Sequence, residues 1–125
     1  MWNPFKAVTK RSIGDYFEEK AYRYLKQQGL ILKGKNISFR FGEIDLIMLD
    51  KQQLVFIEVR FRNSNQFGGS AASIDPRKQA KIIKAAQQYL QQHYGNQPPS
   101  CRFDVIAIEG SRTKHEIQWL KNAFY

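Results

Sequence analysis

Hydrophobic and polar residues alternate most regularly between Gly42 and Arg62, in GEIDLIMLDKQQLVFIEVRFR. Ile44, Leu46 and Met48 interleave with Glu43, Asp45, Ile47 and Leu49, and Leu54-Val-Phe-Ile then leads into Glu58-Val-Arg-Phe-Arg. A period of two is a strand signature, and the polar Asp50-Lys-Gln-Gln between the runs reads as a hairpin turn. Upstream the period lengthens to that of a helix. Ser12 is placed to cap a helix from Ile13 to Gln28, with Gly29 just beyond its end. Ile13, Phe17, Ala21 and Tyr24 form its apolar stripe, with Leu25 at the edge; Glu18 lies near that edge and Glu19 points away.

Leu30 to Phe41 reads as a first strand, in which Lys33, Lys35 and Arg40 suit an exposed sheet edge. After Arg62 comes a polar, glycine-rich stretch, Asn63 to Ser70, that either lets the backbone approach a phosphate or forms a surface loop. Asp75 then caps, and Pro76 opens, a second helix reaching His93. Ala80, Ile83, Ala86 and Leu90 are expected to bury one face of it, with Arg77, Lys81 and Lys84 together on the opposite face. Tyr94 to Ser100 connects to a return strand, Arg102 to Glu109, and His115 to Leu120 makes a short last strand after Gly110-Ser-Arg-Thr. The order αβββαββ suits an α/β fold, a central mixed sheet flanked by helices.

The strands carry acids where a core prefers apolar groups. Glu43 and Asp45 share one strand face, as do Glu58, Arg60 and Arg62, because side chains alternate. Pairing around the turn brings Asp45 and Glu58 together at the ends away from it. Two carboxylates about 5 Å apart repel by roughly 3 kcal/mol at an effective dielectric of about 20, so the pair calls for a divalent metal or a neighbouring Arg. Glu18 is either a boundary carboxylate paired to Lys or Arg, or an acid leaning over the sheet toward this pair. Gln79 falls within the expected apolar face of the second helix, so its amide is either held by structural hydrogen bonds or aimed at the acids. Asp104, inside the return strand, reads as a structural or supporting acid.

Composition narrows the partners. With 42% hydrophobic and 25% charged residues, the 125-residue chain is expected to fold as a single domain, 1–125, with residues 1–11 as a flexible basic arm. Twenty Lys and Arg against eleven Asp and Glu leave a charge of +9, which favours a polyanion. Nucleic acid comes before membrane, since there is no long apolar segment or lipidation motif. The single Cys101 and an opening without a signal-peptide core point to the cytoplasm. His93, His115 and Cys101 have no paired spacing suited to structural zinc.

Asp45 followed about a dozen residues later by Glu58-Val-Arg60 resembles the core pattern of the PD-(D/E)xK nucleases. The wider string resembles the YraN family of small bacterial proteins, related to archaeal Holliday-junction resolvases. The matching pieces are Glu18-Glu-Lys-Ala21, Gly42-Glu-Ile-Asp-Leu-Ile47, Phe56-Ile-Glu-Val-Arg-Phe-Arg62, Pro76-Arg-Lys-Gln79 and Arg102-Phe-Asp-Val105, in family order. The resemblance implies a restriction-endonuclease-like fold in which Asp45, Glu58 and the Val59 carbonyl hold Mg²⁺ or Mn²⁺. It further implies that Glu18 supports the site and Gln79 completes it. Arg60 stands where the pattern has Lys. It stays protonated at any working pH, so it can hold a scissile phosphate or neutralise the acids but not take part in proton transfer. Arg62, Arg77, Lys81 and Lys84 would then meet the phosphate backbone. The expected activity is metal-dependent endonuclease action on branched or structured DNA, by a homodimer if the likeness to resolvases extends that far. Two alternatives stay open: a nucleic-acid-binding module that lost turnover because Arg60 replaces the lysine, and a protein-interaction domain using the basic face.

Overall fold

Five strands form one sheet in sequence order: β1 (Ile31–Phe39), β2 (Gly42–Asp50), β3 (Gln53–Arg62), β4 (Cys101–Gly110) and β5 (His115–Phe124). The computed structural model describes residues 10–62 and 74–125, with side chains from residue 13 onward. Neighbouring strands are antiparallel except β3 and β4, which run parallel and are joined through α2 (Pro76–Tyr94). α1 (Lys10–Gln27) precedes the sheet, so the expected αβββαββ order and mixed sheet are observed.

The helices take opposite faces. Phe17, Ala21 and Leu25 of α1 pack on Leu46, Met48, Val55, Ile57, Ile106 and Ile108. Ala85, Ala86 and Tyr89 of α2 pack on Ile44, Ile47, Leu54 and Phe56. Because both faces are covered, the central strands carry nearly unbroken apolar runs, such as Leu54 to Ile57 and Val105 to Ile108. No helix among the described residues is long and apolar enough to cross a membrane.

Several expectations shift. α1 begins at Lys10, one turn early, so Ser12 lies inside its first turn and is not the cap; nothing from Lys10 to Ile13 breaks a helix. Leu25 is fully buried and central to the stripe, whereas Ile13 and Tyr24 are half-buried. The buried face of α2 is rotated. Ile82, Ala85, Ala86 and Tyr89 point inward, Ile83 and Leu90 are only partly covered, and Ala80 is exposed. Ile82 and Tyr89 offer more apolar area than Ala80, and packing follows area. Residues 1–9 of the expected arm and the glycine-rich segment 63–70 lie outside the described residues, while Lys10 and Arg11 belong to α1.

The last strand runs four residues further than its alternation predicts, to Phe124. The register shifts opposite Asp104, and Asn122, at φ 56°, donates its backbone N–H to Asp104 Oδ1 at 2.9 Å. That hydrogen bond to a fully buried carboxylate holds the added residues in the sheet.

Candidate functional site

The β2–β3 ladder runs from Asp50 opposite Gln53 to Leu46 opposite Ile57 and stops there. Leu46 and Met48 face α1 whereas Ile44 and Ile47 face α2, so the alternation slips by one residue around Asp45. Asp45 fills the break. Its Oδ2 accepts the Val59 backbone N–H at 2.9 Å, in place of a ladder partner.

Two further carboxyls neighbour Asp45 here, one on each side. Glu58 follows the ladder's end on β3, only 5% exposed, and Lys78 Nζ of α2 stands 2.6 Å from its Oε1. Glu18 comes from α1, with Asn36 and Asp45 as its polar neighbours. Burial pushes the Glu58 carboxyl up to about 7; the charge of Asp45 adds to the rise and Lys78 opposes it. Burial likewise raises Asp45 to about 6, the Val59 N–H opposing and the charge of Glu18 adding. Glu18 is raised as well, by burial first, with Asn36 and Asp45 opposing and the charges of Asp15 and Glu43 adding. Its Oε2 is buried and has no hydrogen-bond partner among the described residues. Beside it opens a cleft of about 370 Å³ lined by Gly14, Asp15, Asn36, Ser38 and Glu43.

Lys78 is the functional candidate that sequence reasoning missed. Asp75 accepts the Lys78 backbone N–H at 3.0 Å and Pro76 opens the helix, which fixes the first turn of α2. Lys78, Ile82, Ala85 and Tyr89 recur at i, i+4, i+7 and i+11, so the lysine heads the buried stripe. The series is present in the sequence, where an overlapping stripe through Ala80 and Leu90 masks it. Gln79 donates its amide to the Ile74 carbonyl at 2.7 Å, which ties down the chain entering α2. By alternation, Arg60 and Arg62 share the β3 face of Glu58, while Arg77, Lys81 and Lys84 are exposed along α2.

Whether these groups suit a metal turns on their chemistry. Among the described residues, no three His, Cys, Asp or Glu side chains are gathered closely enough to hold an ion as they stand. The donors are all oxygen, and Glu18 Oε2 has no hydrogen-bond partner among the described residues, while burial holds Asp45 and Glu58 toward their neutral forms, which compete with an ion. Oxygen donors of this kind would suit a hard cation such as Mg²⁺ or Mn²⁺ once the carboxyls lose their protons and draw together.

A wider depression of about 740 Å³ lies at the opposite end of the sheet, lined by Asp50, Gln53, Arg102 and Trp119 among others. Its polar groups are bonded to one another. Arg102 reaches Asp104 through Nε at 3.0 and 3.1 Å, Gln53 through Nη1 and Asp50 through Nη2, each at 2.8 Å. Trp119 Nε1 donates to Asp104 at 2.9 Å. This is a structural network distant in sequence register from the acids.

A mixed five-stranded sheet, covered by a helix on each face and carrying an acid cluster where two central strands part, defines an α/β protein with a polar site at a strand break. The model of the family described as "Uncharacterised protein family UPF0102" matches residues 17–108, and the chain belongs to that family. A UPF0102 protein of Nitrosococcus oceani is 48% identical over 119 residues, covering 95% of this chain and 96% of the relative. One of Nitrosomonas europaea is 50% identical over 111 residues, with 89% and 92% covered. One of Yersinia pseudotuberculosis is 47% identical over 118 residues, with 94% and 97% covered.

Proposed function

We propose that the chain is a metal-dependent nuclease that hydrolyses phosphodiester bonds in structured or branched DNA, with a restriction-endonuclease-like fold. The observation that carries this reading is the meeting of Asp45 and Glu58 where β2 and β3 part, with the unpartnered Glu18 Oε2 beside them. Asp45, Glu58 and the Val59 carbonyl would hold Mg²⁺ or Mn²⁺, with Glu18 as supporting acid. When bound, the ion supplies Lewis-acid stabilisation of phosphate charge and a more acidic water.

The chain's own groups do the rest. Lys78 neutralises Glu58 in the resting site and presents its ammonium to an incoming phosphate. Arg60 and Arg62, on the face of Glu58, orient phosphates through bidentate hydrogen bonds. Arg77, Lys81 and Lys84 track the backbone, and Gln79 positions Lys78 by fixing the start of α2. Two-fold junctions would suit a homodimer.

Isothermal titration of Mn²⁺ and Mg²⁺ into the wild type, Asp45→Ala and Glu58→Ala tests the site, followed by cleavage assays on junctions, flaps and duplexes. Metal binding lost in both variants, with divalent-dependent cleavage by the wild type, is the expected result. DNA binding with neither metal uptake nor cleavage favours a second reading, a non-catalytic nucleic-acid-binding module. The 2.6 Å Lys78–Glu58 pair supports that alternative, because it makes the lysine, and not Arg60, the group standing in for an ion.

A further inference from the structure

Phe41 sits at the tip of the β1–β2 hairpin, where Phe39 pairs with Gly42 and Arg40-Phe41 makes the turn. Such tips favour Gly, Asn, Asp and Ser, yet here a phenyl ring stands 48% exposed. Phe39, two residues earlier, turns inward to meet Tyr89 edge-on. A lone exposed apolar residue is ordinary on a protein surface. This one carries cations over its ring, with the Arg40 guanidinium carbon 5.6 Å and Lys84 Nζ 5.2 Å from the centroid, so a stacking base would displace one of them toward its own phosphate.

The hairpin tip also rests on α2, since a Cβ at Gly42 would lie 3.4 Å from Lys81 Cβ. Lys78, Lys81 and Lys84 therefore lead, at intervals of three residues, from Glu58 past Gly42 to Phe41. Six residues of helix advance by about 9 Å. At ~3.4 Å per nucleotide along one strand, that is a reach of roughly two to three nucleotides. An aromatic ring with cations over it, at the end of a basic track, matches what a single strand offers: a π-face on each base and a charge on each phosphate. Inside a duplex the bases stack on one another, and only the outer faces of its terminal pairs are open to a ring.

Resting on the nuclease reading above for its partner, we infer that Phe41 stacks on an unpaired base of a single-stranded segment two to three nucleotides from the acids. The substrate class of the site is accordingly DNA with unpaired nucleotides beside the bond to be cut. Unpaired bases occur at flaps, gaps and opened junctions and are absent from continuous duplex.

The test is fluorescence anisotropy in EDTA with a short labelled oligothymidylate and a blunt duplex of equal length, using wild type, Phe41→Ala and Phe41→Trp. Phe41→Ala is expected to weaken oligothymidylate binding roughly 5- to 100-fold, the range for losing one stacked base, and to change duplex Kd by less than about twofold. Phe41→Trp is expected to retain affinity, and its added indole emission to be quenched by the single strand alone. Equal losses on both ligands, or none on the single strand, would overturn the inference and leave the nuclease reading standing. Failure of the wild type to bind either nucleic acid, both in EDTA and with Ca²⁺ in its place, would overturn both.

Discussion

Lys78 Nζ lies 2.6 Å from Glu58 Oε1, joining the first turn of α2 to the middle of the sheet. The pair is lopsided, since the carboxylate is 5% exposed and the lysine side chain 44%. The acid depends on the lysine for its counter-charge far more than the lysine depends on the acid.

Lys78→Met should therefore destabilise the fold near pH 8, where Glu58, its carboxyl raised further once the lysine is gone, must either take up a proton or stay charged while buried. The loss should be about 1–3 kcal/mol, below that of a fully buried pair because the ammonium is half in solvent. Near pH 5 Glu58 holds its proton and the loss should shrink. Urea unfolding of both proteins at the two pH values measures the difference.

Asp45→Asn tests the raised carboxyls. Folding raises Asp45 from 3.8 to about 6 and Glu58 from 4.5 to about 7, so the folded state binds more protons across this range. Stability from the protonated forms is complete below about pH 4 and is lost as pH rises through about 7. Asn removes one buried charge and keeps an oxygen for the Val59 N–H. The variant should melt higher than wild type near pH 8 and no higher near pH 4. Mn²⁺ should raise the wild-type Tm more at the higher pH, where the carboxylates are free of protons, and should leave the variant unmoved.

Asp104→Ala should cost about 3–5 kcal/mol. It strands the Trp119 indole N–H and the Asn122 N–H and takes the acceptor from Arg102 Nε, all of which Asp104 receives at 2.9–3.1 Å, while Arg102 keeps Asp50 and Gln53. Chemical denaturation gives the magnitude, and a shift in Trp119 emission would locate the damage at the β4–β5 edge.

Gln79→Ala should cost about 1 kcal/mol through the lost bond to Ile74 and leave the affinity for Mn²⁺ within about twofold of wild type. Calorimetric titration decides the second point, and a large loss of metal affinity would place the amide in the site itself.

Binding through about six phosphates should give a log-log salt slope near −5, and replacing Arg77, Lys81 or Lys84 by Ala should reduce that slope by about one each. Affinity measured across a salt series reads both. A flat response in the wild type would remove the electrostatic basis of nucleic-acid binding.

The αβββαββ order, the hairpin at Asp50 to Gln53, the Asp75–Pro76 helix start and the convergence of Asp45 with Glu58 were legible in the sequence. Each follows from local rules, namely period-two alternation, turn chemistry and capping, and those rules act between residues close in the chain. What the tertiary structure alone decided is the rotation of α2. Several overlapping stripes on that helix are apolar enough to bury, and only the sheet surface, around Ile44, Ile47 and Phe56 for Tyr89 and around Val105 and Phe124 for Ile82, selects the one those two residues lead. That choice sends Lys78 to Glu58 and leaves Lys81 and Lys84 beside the hairpin tip at Gly42 and Phe41. The extension of β5 has the same origin, because it hangs on a hydrogen bond from Asn122 to a carboxylate eighteen residues away. Apolar area and buried hydrogen bonds are summed over surfaces that meet only when the chain is folded, so no local pattern could have ranked them.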